Sequence, residues 1–118
     1  LKRPFLVLLY EVFDSDDYAL AVDKMFLYMM QWLKAIGLKT ANCSFTEYQT
    51  PLKTIISPTY AESYLSAVNI WHQAVYSDNE ITESQRNEVK EILSVTQKTI
   101  WNNGSIFLKC KLKFHLFL

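Results

Sequence analysis

The stretch that decides the fold is "YALAVDKMFLYMMQWLKAIG", Tyr18 to Gly37. Its apolar residues Tyr18, Val22, Met25, Met29, Trp32 and Ile36 recur at alternating intervals of four and three. A helix turns once every 3.6 residues, so this spacing lays all six along one stripe. Asp23, Lys24, Gln31 and Lys34 fall largely elsewhere on the cylinder. Asp14 or Ser15 can cap the start, while Asp16 and Asp17 suit the positive end of the helix dipole. Gly37 can take the left-handed backbone that closes a helix. Such a stripe has to be covered, and further helical segments follow it.

"SFTEY", Ser44 to Tyr48, fits the capping box S-x-x-E, in which the serine hydroxyl and the glutamate carboxylate each satisfy a backbone amide at a helix start. Pro51 has no amide to donate, so this helix is short, kinked, or restarts with Thr50 as its cap. Ser57-Pro58 repeats the cap-plus-proline pattern and opens a third helix whose stripe is Ala61, Tyr64, Val68, Trp71 and Val75, ending near "YSDNE". Thr82 with Gln85 is a second capping box. It starts a fourth helix running to about Trp101, with Val89, Ile92, Leu93, Thr96 and Ile100 facing inward. The tail "LKCKLKFHLFL" sets Leu108, Cys110, Leu112, Phe114, Leu116 and Leu118 against Lys109, Lys111, Lys113 and His115. A period of two favours a strand with one basic face, although a helix also fits.

The bulk composition agrees with a helical reading. The chain has 118 residues, enough for one domain with a core of its own. Half of the residues are hydrophobic and 20% are charged, which excludes a disordered chain. Twelve basic and twelve acidic side chains cancel, so no excess of cations exists to hold nucleic acid. Two glycines and three prolines are few for an all-β fold with many tight turns. Cys43 and Cys110 cannot frame a disulfide scaffold, and no Cys/His cluster offers a metal site. Reduced thiols and a reducing compartment are the expectation. The run Phe5 to Tyr10 is far shorter than the roughly 20 residues a membrane-crossing helix needs.

Candidate chemistry is sparse. Asn42-Cys43-Ser44 and Asn103-Gly104-Ser105 satisfy the glycan acceptor pattern, but Asn and Ser are also ordinary residues at helix ends, where both sites fall. Cys43 as a nucleophile needs a base such as His72 or His115 beside it, and no catalytic spacing surrounds it. His72 reads as a helix-surface or packing histidine, and Glu88 and Glu91 beside Lys90 as a solvated face. Met25, Met29 and Met30 read as core filler. Lys109, Lys111 and Lys113, interleaved with Leu and Phe, could touch anionic headgroups or form an amphipathic edge. No paired carboxylates, phosphate loop or metal constellation emerges. The expectation is a domain that is no enzyme, with no cofactor, no small-molecule substrate and no nucleic acid.

The order of these pieces resembles the C-terminal helical domain of unknown function found in bacterial transglutaminase-like membrane proteins. In that family a helix of the type "aYxxLLxxLxxxGL" comes first, matched here by "KMFLYMMQWLKAIGLK", Lys24 to Lys39. The signature Thr-Leu-x-Glu-Tyr stands where this chain has "SFTEY", and a pattern like "lYexarYs" where it has "IWHQAVYS", Ile70 to Ser77. A basic-aromatic tail such as "LKCKLKFHLF" is also typical. Ser44 replaces the usual threonine, Trp71 a common tyrosine, and Pro51 interrupts a helix that normally continues. Gly37, Ser44, Glu47, Tyr48, Trp71 and Tyr76 are the positions the resemblance singles out, with capping and packing as their implied roles. It implies a cytoplasmic appendage of a membrane-anchored protein, any Cys-His-Asp chemistry belonging to a separate core upstream. A neighbouring AAA ATPase often accompanies such proteins, so a protein partner is implied.

The expected architecture is therefore a mostly α, single-domain bundle of about four helices over residues 1–118. Its core spans about 14–101, its basic-apolar tail 102–118, and either end can add a short strand or helix. Leu1 is not a start residue, and Lys2 and Arg3 suit the cytoplasmic side of a bilayer, so a membrane span is expected upstream. The rival expectation is a secreted, cytokine-like helical ligand with glycans at Asn42 and Asn103.

Overall fold

A computed structural model describes residues 13, 16–38 and 44–103. Among them the chain forms α1 (Tyr18–Ala35), a 3-10 turn (Phe45–Tyr48), α2 (Gln49–Ile55), α3 (Pro58–Tyr76) and α4 (Glu83–Asn103), with no strand. The mostly α bundle expected from the sequence is the observed fold. The alternating tail and the first twelve residues lie outside the described residues.

Helix α1 is the hub, packing along α4 and α3, while α2 and the 3-10 turn pack on α3. Its stripe is wider than the four–three spacing alone implies. Val22, Met25, Met29 and Trp32 are buried as expected, and Ala21, Phe26, Tyr28, Met30, Leu33 and Ala35 are buried with them. A helix gripped by partners on two sides buries most of its circumference rather than one stripe. From the other helices Tyr64, Val68, Trp71, Val89, Ile92 and Leu93 complete the core. Trp32 and Trp71 are only 4% and 7% exposed, and their burial contributes several kcal/mol at about 25 cal/mol per Å² of apolar surface.

The helix ends follow local chemistry. Asp17, rather than Asp14 or Ser15, is the N-cap of α1: its carboxylate accepts from the Leu20 amide at 3.1 Å. A carboxylate there meets both the unpaired amides and the positive dipole end. At the other end Gly37 has φ 103°, and its amide donates to Lys34 at 3.0 Å while Leu38 donates to Leu33 at 3.1 Å. This is the Schellman closure that only a residue tolerant of positive φ makes without strain.

Two other expectations are corrected. Thr50 is not a restarting cap; it lies inside α2, and Pro51 sits in the first turn, where amides lack helical partners anyway. The proline is accommodated by a change from 3-10 to α geometry. Val75 does not continue the α3 stripe inward but is 43% exposed, while its neighbour Ala74 packs against the core in the same turn. The remaining caps hold. The Ser57 hydroxyl accepts from Tyr60 at 3.0 Å, and Thr82 and Gln85 form a reciprocal box with bonds of 3.0 and 3.1 Å.

Candidate functional site

The chain's chemistry gathers where α1, the 3-10 turn and α3 meet. Phe26 of α1 stacks on Trp71 of α3 with centroids 5.0 Å apart and planes 22° apart. Phe45 of the 3-10 turn stands edge-on to both, at 5.1 Å from Phe26 and 4.9 Å from Trp71. Such offset and edge contacts each contribute about 0.5–1.5 kcal/mol beyond area burial. The Tyr64 hydroxyl donates to the Phe45 carbonyl at 2.7 Å, tying the turn to α3. The Trp71 indole N–H donates to the Asp23 carboxylate at 2.8 Å. Both polar ends of this cluster are thereby satisfied, as a half-buried aromatic group requires.

The column of rings continues to the surface. Tyr76 lies edge-on to Trp71 at 5.8 Å and tilted to His72 at 5.9 Å, yet is 76% exposed. His72 is half-buried against Trp71 at 5.4 Å. A cleft of about 440 Å³ opens between the start of α1 and the turn after α3, with Asp16, Asp17 and Glu80 among its walls and Ala19 and Ala74 among its apolar lining. The turn itself is braced: Gln73 Nε2 donates to the Glu80 carbonyl at 3.1 Å, and Gln85 Nε2 donates to Gln73 Oε1 at 3.1 Å.

The singled-out residues separate into two kinds. Tyr48 and Trp71 are buried and joined through Phe45, which is 6.1 Å from Tyr48. Gly37 closes α1, and Ser44 and Glu47 start the 3-10 turn. Both arms of that box are present: the Glu47 carboxylate accepts from the Ser44 amide at 3.2 Å, and the Ser44 side chain meets the Glu47 amide. That amide also reaches the Ser44 carbonyl at 3.0 Å, because a 3-10 turn pairs residues three apart. Tyr76 meets the rings of Trp71 and His72 but is 76% exposed.

Cys43, Cys110, His115, Asn42, Lys109, Lys111 and Lys113 lie outside the described residues, and Asn103 is the last residue of α4. Among the described residues no group of three His, Cys, Asp or Glu is placed to hold a metal ion, and no helix is long and apolar enough to cross a membrane. Phe26, Phe45 and Asp23 were not singled out in the sequence. Phe45 sits inside the capping-box motif, and its aromatic side chain next to Ser44 was the available signal. Asp23 gave none, since a carboxylate off the apolar stripe reads as solvated.

No protein-family model matches the chain, and neither a curated protein nor a solved structure shows significant similarity to it.

Proposed function

We propose that the chain is a non-catalytic accessory domain that binds a protein partner or the rest of its own chain. On this reading it belongs at the C-terminus of a transglutaminase-like membrane protein, on the cytoplasmic side of a bacterial membrane. The observation that supports it is the division among the residues shared with that family. Gly37, Glu47, Tyr48 and Trp71 cap or pack, while Tyr76 meets Trp71 and His72 yet is 76% exposed. Tyr is among the residue types enriched at binding hot spots, and this ring is open to solvent for such a role.

The test is the coding sequence upstream of Leu1. A membrane span followed further upstream by a core with its own Cys, His and Asp is the expected result. A reading frame that starts with methionine near Leu1 would contradict it.

A further inference from the structure

We infer that the groove between Trp32 and the last two turns of α4 is the docking site for the chain's own continuation, residues 105–112, "SIFLKCKL". The inference goes beyond the accessory-domain reading and does not depend on it. That reading turns on Tyr76 at the end of α3, which Gln73 and Gln85, 3.1 Å apart, tie to the start of α4. The groove lies at the other end of α4. It holds about 350 Å³, and Gln97, Lys98, Trp101 and Asn102 line it together with Trp32 of α1. Trp101 is 37% exposed there. Two indoles make the wall apolar, and no carboxylate lines it among the described residues. Lys98 can lay its stem along such a wall and keep its ammonium in water.

Covalent continuity selects the occupant. Helix α4 ends at Asn103, next to the groove's Asn102, so the following residues leave from its rim. The first of them is Gly104, and the chain's one other glycine, Gly37, closes α1 at φ 103°. A glycine just past a helix end permits the chain to reverse there. Reach then fits. An extended chain advances about 3.3 Å per residue, which carries Ile106 and Leu108 up to about 10 and 17 Å from Asn103. The groove runs from Asn102 back to Gln97, about 8 Å along the helix. A period of two sets Ile106, Leu108, Cys110 and Leu112 on one side of the segment and Lys109 and Lys111 on the other. Aliphatic side chains gain by leaving water against the indoles, while the lysines, offered no carboxylate, stay in solvent. A tethered segment meets its site at an effective concentration on the order of millimolar, so modest contacts favour it over a free peptide.

The test is nuclear Overhauser contact and amide exchange in the isotope-labelled full chain. Contacts from the Trp32 and Trp101 indoles to Ile106 and Leu108 are expected, with slowed exchange over residues 105–112. Trp101→Ala, and separately Ile106→Ser with Leu108→Ser, should each speed exchange of those amides about tenfold or more while α1 and α3 keep their protection. The second variant lies wholly within the segment, so it decides the matter even where loss of Trp101 perturbs α4. Exchange over 105–112 as fast as in a free peptide of that sequence would overturn the assignment, as would contacts confined to another face. Contacts that prove intermolecular in a mixture of labelled and unlabelled chains would also overturn it, in favour of a second copy as occupant.

Discussion

The Trp71 indole N–H and the Asp23 carboxylate meet at 2.8 Å, joining α3 to α1 across 48 residues of chain. A hydrogen bond to a charged acceptor contributes about 1.5–3 kcal/mol, and partial exposure places this one near the lower figure. Asp23→Ala should therefore cost about 1.5 kcal/mol, read as a lower urea midpoint with an unchanged slope. Asp23→Asn keeps an acceptor and should cost less. An alanine variant as stable as the parent would show that the bond contributes nothing.

Inside the core, the Tyr60 and Thr96 hydroxyls are 2.6 Å apart, and Thr96 also donates to the Ile92 carbonyl at 2.8 Å. The threonine's proton is thus spent on Ile92, which makes Tyr60 the donor of the shared bond. Thr96→Val leaves that buried hydroxyl unpaired and should cost about 1–3 kcal/mol. Adding Tyr60→Phe removes the orphan and should recover part of the loss. A double-mutant cycle showing simple additivity would contradict the coupling.

Burial pushes the Tyr60 hydroxyl up to about 12, with the Thr96 bond opposing it. It raises Tyr64 further, with Tyr60 and Tyr48 adding to the effect. Both folded values exceed the unfolded value of 10.0, so their contribution is fully present below pH 10 and is lost as pH rises through the folded values. Between pH 10 and its folded value each tyrosine should lower stability by up to about 1.4 kcal/mol per pH unit. Denaturant midpoints taken from pH 8 upward should stay nearly level with respect to these groups and then fall. Tyr60→Phe should shallow the fall; an unchanged slope would mean the hydroxyl ionises freely in the folded protein.

At Gly37 the backbone has φ 103°, and a Cβ built there would meet nothing within 4 Å. The cost of Gly37→Ala is then conformational alone, about 1 kcal/mol, with no steric addition. Thermal unfolding measures it directly. A loss several times larger would mean that the Schellman closure supports more than the end of α1.

These positions show what was legible in the sequence. The α1 stripe, the Thr82–Gln85 box and the inward residues of α4 follow from local periodicity and capping, and each stands where expected. Val75 is exposed while Ala74 packs inward, because periodicity says which residues share a face but not which faces the partner helices cover. Asp17 displaced Asp14 and Ser15 because several capping residues in a row leave the choice to the geometry of the incoming chain. The Phe26–Phe45–Trp71 cluster brings together residues 19 to 45 positions apart, and no local pattern records such a meeting.

The central claim is that Tyr76 serves recognition while Trp71, its neighbour at 5.8 Å, serves the fold. Denaturant unfolding of Tyr76→Ala beside Trp71→Ala separates the two roles. Truncating the tryptophan, only 7% exposed, should cost about 3–5 kcal/mol. Truncating the tyrosine should cost less than about 1 kcal/mol, as a surface substitution does. A Tyr76→Ala loss approaching that of Trp71→Ala would make Tyr76 a structural residue and contradict the account.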